Sequence, residues 1–189
     1  MDSIYVIRHG KPALTWGGAE LDPGLDDTGW AQARSAAAAL TSQPPPHRPR
    51  SVVSSPLRRC RETAQALSEA LGVELIIDAA VGEIPTPANL SAAERPAWLQ
   101  AAFAGQWRSI KGDLDYEVWR SGVVAAVASY PGAAIFSHFV ALNALVSKLQ
   151  GGEDVLAFRP DHCSITTLTV AGGQLRLAVR GAEAATGIL

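Results

Sequence analysis

Arg8-His9-Gly10 closes the apolar run Ile4-Tyr5-Val6-Ile7. A strand that stops there presents an imidazole beside a fixed cation, with a glycine that admits another group close to the backbone. This is a mounting suited to a nucleophile that attacks phosphate. Three further groups stand at comparable places. Ser54-Ser55-Pro56-Leu57-Arg58-Arg59-Cys60-Arg61 carries a strand into a helix whose first turns hold three arginines. Their guanidinium forks add to the positive end of the helix dipole and favour a phosphate or carboxylate. Cations there oppose the dipole, so the cluster needs a reason other than helix stability. Glu83 lies in the loop Gly82-Glu83-Ile84-Pro85, and alone it reads as a solvated charge. His138 ends the buried run Ile135-Phe136-Ser137.

The elements that must position these groups alternate between short apolar strands and helical patterns, which argues for a three-layer α/β/α fold with a mostly parallel central sheet. Strands are expected at residues 4–7, 52–54, 73–77 and 133–136. Helices are expected at 26–40 with Asp26 as N-cap, at 56–71 ended by Gly72, at 116–129 and at 140–149. Residues 164–170 and 175–179, joined through Gly172-Gly173, read as a hairpin that gives the sheet an antiparallel C-terminal edge. Between about 85 and 120, Pro85, Pro87, Pro96, Gly105 and Gly112 punctuate short helical pieces carrying Trp98 and Trp107, a lid-like excursion from a single domain spanning 1–189. In an open parallel sheet ligands bind beyond the carboxyl ends of the strands, so His9, Arg59, Glu83 and His138 are expected to converge. Arg58 and Arg59 point about 100° apart on a helix, so only one of them faces those strand ends.

With 189 residues the chain can bury roughly 70% of the surface its unfolded form exposes, enough for a core without staples. A formal net charge of -2 gives no broad cationic field, which argues against nucleic acid or an anionic membrane as partner. Cys60 and Cys163 stand far apart and suggest no disulfide framework. No apolar stretch approaches the roughly 18 residues of a membrane span, and no secretory signal is visible, so a cytoplasmic protein is expected. His9, His47, His138 and His162 lack metal-ligand spacing, and no metal or other cofactor is expected. A cysteine-nucleophile phosphatase needs an Arg six residues after the Cys, where Ala66 and Thr169 stand. Asp113-Leu114-Asp115 follows no apolar strand, and no Gly-rich phosphate loop or Gly-x-Ser-x-Gly elbow is present.

Taken together, these motifs resemble the histidine phosphatase, or phosphoglycerate mutase-like, superfamily. Arg8-His9-Gly10 is similar to its signature, and Asp22-Pro23 through Leu25-Asp26-Asp27-Thr28-Gly29 with Gln32-Ala33 to the stretch that follows. Ser54-Ser55-Pro56-Leu57-Arg58-Arg59-Cys60 with Thr63-Ala64 resembles its second block, which places the family arginine at Arg59. Glu83 falls where the family carries its acid and Ser137-His138 where it carries its second histidine. The resemblance spans roughly residues 3 to 180 and is weakest from 85 to 130. The chain departs from the pattern at Phe139 (a small Gly in the family), Asn143 (Arg), Thr15 (Asn) and Lys11 (Glu or Gln). Lys11 is thereby an extra cation and Thr15 a weaker donor to substrate.

The resemblance implies a metal-independent phosphomonoester hydrolase in which His9 forms a phosphohistidine. Arg8, Arg59 and His138 bind the phosphoryl oxygens, with Thr15 as a further substrate contact, and Glu83 acts as acid and then base. The adjacent cations push the Glu83 pKa down, and burial under the excursion is needed to raise it. A phosphoglycerate mutase-like phosphotransferase and a non-catalytic phosphate-binding relative are the alternatives. Phosphorylated metabolites, among them sugar phosphates and a cobalamin precursor, and a phosphohistidine protein all stand as substrates. The tryptophans of the excursion either stack on a base or pack its helices on the sheet.

Overall fold

The computed structural model describes residues 2–14, 22–172 and 174–185. The first strand, β1 (Asp2–Arg8), is apolar without alternation because both of its faces are covered: Ile4 and Val6 enter one core, Tyr5 and Ile7 the other. The first helix, α1 (Asp27–Thr41), is capped as expected by Asp26, whose carboxylate accepts from the Gly29 N–H. It ends at Thr41, ahead of the proline tract, which forms a separate 3-10 turn at Pro45–His47.

From β2 (Ser51–Ser54) the chain enters α2 (Arg58–Leu71). The helix begins at Arg58 and not at Pro56, because Ser55 Oγ accepts from Leu57 N–H and the Asp22 carboxylate takes the Arg58 N–H at 2.9 Å. That carboxylate also complements the positive helix end. Gly72 closes α2 in the left-handed region, φ 65°, where a Cβ would be strained. Val73 is consumed in the same closure, its N–H meeting the Ser68 carbonyl, so β3 (Leu75–Ile77) starts two residues later than its apolar pattern suggests. The excursion contributes α3 (Arg95–Phe103), and the chain then runs through α4 (Tyr116–Ala128), β4 (Ala133–Ser137) and α5 (Phe139–Leu149). The hairpin of β5 (Ile165–Ala171) and β6 (Gln174–Val179) follows.

These strands form one sheet in the order β3-β2-β4-β1-β5-β6. The first four run parallel, in registers that match Arg8 with Ser137, and Ser54 with both Phe136 and Ile77. Their carboxyl ends are therefore level with one another. The hairpin joins β1 antiparallel, with Ile7 opposite Ile165. Helices α1 and α2 cover one face with Ala37, Leu40, Ala64 and Leu67 against Tyr5, Ile7, Val52 and Phe136. Helices α4 and α5 cover the other with Val127, Leu142, Leu145 and Val146 against Ile4, Val6, Val53 and Ile135.

The excursion has its own core. Leu99, Trp107 and Tyr116 pack with Ile84 and with Phe139, Val140 and Ala144 of α5. Trp107 is 1% exposed and its indole N–H is shared between Ser147 Oγ and the Asp154 carbonyl. The Trp98 N–H reaches the Lys111 carbonyl at 2.7 Å. Both residues are thus packing groups with satisfied polar edges. Among the described residues no helix is long and apolar enough to cross a membrane.

Candidate active site

The level carboxyl ends bring His9, Ser55 and His138 side by side, as the parallel order requires. His9 N–H donates to the Ser137 carbonyl at 3.0 Å and Ser55 N–H to the Phe136 carbonyl at 3.0 Å, extending both ladders past the last paired residues. The His9 side chain is 3% exposed, and its Nδ1 lies 2.8 Å from the Gly10 carbonyl. A carbonyl can only accept, so Nδ1 carries the proton and Nε2 holds the lone pair. Gly10 is fixed in turn by its own N–H, which donates to Thr63 Oγ1 at 2.9 Å, while that hydroxyl donates to the Arg59 carbonyl at 2.6 Å. Thr63 therefore ties the loop after β1 to the helix that carries Arg59.

Arg8 and Arg59 are both buried, at 3% and 8% exposed. Arg8 Nη1 donates to the Pro160 carbonyl at 2.9 Å and its guanidinium lies 5.2 Å from the centre of the Phe139 ring. Arg59 Nη2 lies 3.2 Å from His138 Nδ1, and since a guanidinium can only donate, Nδ1 accepts and His138 Nε2 carries the proton. That Nε2 meets Ser55 Oγ at 2.8 Å. Each arginine also has a buried Nε–H with no partner among the described residues. An unsatisfied buried donor costs about 1–3 kcal/mol, more when charged, and an anionic oxygen would relieve both.

Electrostatics separate the roles. Burial holds His9 well below the ordinary histidine range, and His138, Arg59 and Arg8 push it further the same way. His138 is lowered by burial and then by Arg59, Arg95 and Arg8. Both rings are therefore neutral at neutral pH. Burial also pushes Arg8 down, to about 10, so it stays charged. Glu83 is the opposite case: burial of its carboxyl raises it, and this outweighs Arg95, the Ile84 N–H, Arg59 and Arg8, all of which lower it. The contest between burial and cations that the sequence left open is thus decided for burial. The carboxyl is anchored by accepting the Ile84 N–H at 2.9 Å.

A neutral, buried imidazole whose Nε2 has no hydrogen-bond partner among the described residues thus stands with two buried arginines and a carboxyl of raised pKa, an arrangement that can accept a phosphoryl group. The family model of the histidine phosphatase superfamily (branch 1) matches residues 4–182. The chain belongs to that superfamily. A search of curated protein sequences returned no match. Among solved structures, the mycobacterial glucosyl-3-phosphoglycerate phosphatase superposes with a TM-score of 0.73 at 21% identity, covering 97% of this chain and 100% of that one. The Entamoeba histolytica phosphoserine phosphatase in complex with 3-phosphoglyceric acid gives 0.76 at 19% identity, covering 96% and 98%. At such identities the likeness is one of fold.

Within this histidine phosphatase superfamily member, the structure also accounts for the departures from the family pattern. Lys11, expected as an extra cation for substrate, is paired with Asp26 at 2.8 Å beside the N-terminus of α1. Asn143 is structural: its amide donates to the Phe139 carbonyl and its oxygen accepts from Ala157 and Phe158, pinning the loop before β5. Phe139 supports the Arg8 guanidinium and meets Phe103 of α3 edge-on at 5.5 Å. Thr15 lies outside the described residues. Arg95, at the start of α3, brings the excursion's charge to Glu83, Arg59 and His138. His162 was missed as a site residue; its ring lies 5.8 Å from that of His9. Only its position before a strand antiparallel to β1 brings it there, and no local motif announces that pairing. Cys60 and Cys163 are free, and burial raises the Cys60 thiol, which is consistent with an inert packing role.

Proposed function

We propose that the protein is a metal-independent phosphomonoester hydrolase that works through a phosphohistidine on His9. The observation that carries this reading is the pair of buried, partly unsatisfied arginines around a neutral imidazole whose Nδ1 is already committed to Gly10. The lone pair on His9 Nε2 attacks phosphorus as the P–O bond to the leaving group breaks, with Arg8 and Arg59 on the equatorial oxygens. Protonated Glu83 gives its proton to the departing alkoxide. Water then attacks the phosphohistidine, Glu83 takes its proton, and the P–N bond breaks to restore neutral His9. His138 accepts from Arg59 and holds that guanidinium in place. The charges that balance the phosphoryl oxygens in this scheme are guanidinium groups, so chelators leave the rate unchanged.

Hydrolysis is favoured over mutase action by the disposition of two of the excursion's cations, Arg108 and Arg120. Arg120 is buried against the Gly152 carbonyl and Glu117, and Arg108 pairs with Glu153 at 3.4 Å. Neither is disposed to hold a second phosphate.

Leaving-group chemistry tests the scheme. p-Nitrophenolate scarcely needs a proton, whereas an alkoxide does, and general acid catalysis contributes about 10²–10⁴-fold. The Glu83→Gln variant is expected to lose hydrolysis of an alkyl phosphate by about that factor while retaining most p-nitrophenyl phosphate turnover and phosphate binding. Equal slowing of both substrates would remove Glu83 as the proton donor. Absence of turnover of either substrate by the wild type would remove the hydrolase.

A further inference from the structure

His162 lies in the turn Asp161–Ser164, which is bolted to the end of β1. Cys163 N–H donates to the Arg8 carbonyl at 3.0 Å, Arg8 N–H to the Ser164 carbonyl at 3.4 Å, and Arg8 Nη1 to the Pro160 carbonyl at 2.9 Å. Cys163 has φ 56°, and among the described residues no other non-glycine residue has a positive φ. Strain of this kind persists where the surroundings over-determine it, and it concentrates at functional sites. Here the left-handed residue follows directly on one whose ring faces the nucleophile.

His9 thus has two imidazole neighbours, His138 with ring centres 5.3 Å away and His162 at 5.8 Å. They differ in what their nitrogens do. Both nitrogens of His138 are engaged, by Arg59 and by Ser55. Among the described residues neither ring nitrogen of His162 makes a hydrogen bond, and its Nδ1 lies 3.9 Å from Asp161 Oδ1. The His162 side chain is 19% exposed, whereas His9 and His138 are 3% and 0% exposed, so of the three rings it is the one solvent reaches. We infer that His162 is a phosphoryl-binding residue, donating a ring N–H to an oxygen of the group that His9 accepts. This role rests on the reading of His9 as the nucleophile and deepens it.

A proton accompanies the contact. Burial holds His162 at about 4, with Arg8 and Lys11 pushing the same way and Asp161 and Asp26 opposing; the ring of His9 beside it is neutral. A phosphate dianion adds a strong opposing charge and raises His162, which then takes one proton from solvent as the anion binds and returns it when the anion leaves. Asp161 stands within ion-pair distance of the cation so formed.

The test is calorimetric titration of inorganic phosphate at about pH 6 in two buffers of different ionisation heat, with wild type, H162Q and H162N, each first shown to melt cooperatively. Both variants are expected to bind phosphate about tenfold or more weakly, the loss of one hydrogen bond to a charged group, and to take up fewer protons per phosphate than the wild type. In the wild type, phosphate should move the ¹⁵N resonances of the His162 ring toward the protonated pattern, a readout that needs no variant to fold. Unchanged affinity and proton count in the variants, or His162 resonances that stay still while those of His9 move, would overturn this role alone. A wild type that binds no phosphate would overturn the phosphoryl-transfer reading and His162's part with it.

Discussion

Arg58 and Arg59 are sequence neighbours with separate tasks. The Arg58 side chain is 52% exposed and pairs with Glu62 at 2.7 Å, whereas that of Arg59 is 10% exposed and points its Nη2 at His138. An exposed ion pair is worth about 0–1 kcal/mol, while a charge-assisted contact to a transition state is worth about 3 kcal/mol or more. Arg59→Ala is therefore expected to lower kcat/KM by on the order of 10²-fold or more, and Arg58→Ala to leave it close to wild type. Steady-state kinetics on both variants checks this, and equal small effects would mean that Arg59 does not touch the phosphoryl group. Arg8, His9, Arg59 and His138 stood out in the sequence because each ends or opens an element whose apolar pattern is plain, whereas Glu83, in a loop, stood out only through the family resemblance. His162 was not legible: its approach to His9 depends on an antiparallel contact across more than 150 residues and on a left-handed Cys163.

At the scale of elements, the entry to α1 and the loop after β1 cross backbone to backbone. A Cβ on Gly10 would lie 2.7 Å from the Gly29 carbonyl oxygen, and one on Gly29 would collide with the Lys11 carbonyl. Helix propensity alone makes Gly29→Ala stabilising by about 0.5–1 kcal/mol. Overpacking against rigid backbone costs about 1–3 kcal/mol and displaces the loop that holds His9. Packing is expected to win: urea denaturation should show Gly29→Ala destabilised, with kcat reduced as well. A variant as stable as wild type, or more so, would show that this crossing is not tight. The helices themselves could be read from their apolar faces and from Asp26 and Gly72. What misled at α2 and β3 were side-chain closures at Ser55, Asp22 and Ser68, and the insertion of β4 between β1 and β2 is a tertiary fact that no local pattern encodes.

For the molecule as a whole, the site is a stability liability at acid pH. His9, His138 and His162 are all lowered on folding, so between their folded values and the ordinary histidine pKa of about 6.5 the unfolded chain binds more protons than the native one. Stability from these groups is present above pH about 6.5 and is lost as pH falls toward the folded values. Glu83, raised on folding, acts oppositely: its contribution is present below the ordinary glutamate pKa and is lost as pH rises through its folded value. With three histidines acting against one carboxyl, Tm is expected to fall from pH 7 to pH 5, and phosphate should restore part of the loss by binding only the native state. Thermal melts across that range, with and without phosphate, check this; a Tm that rises on acidification would contradict neutral histidines in the native site.

In the proposed reaction the phosphoryl group passes to one nitrogen of one residue. Rapid quenching at alkaline pH during turnover of a phosphomonoester, followed by mass spectrometry of the intact chain and of its peptides, reads this directly. The expected result is a transient single phosphate on His9 that is labile to acid and absent from His9→Ala, which should also be inactive. A phosphate found reproducibly on Ser55 or Cys60, with His9→Ala still turning over, would contradict it.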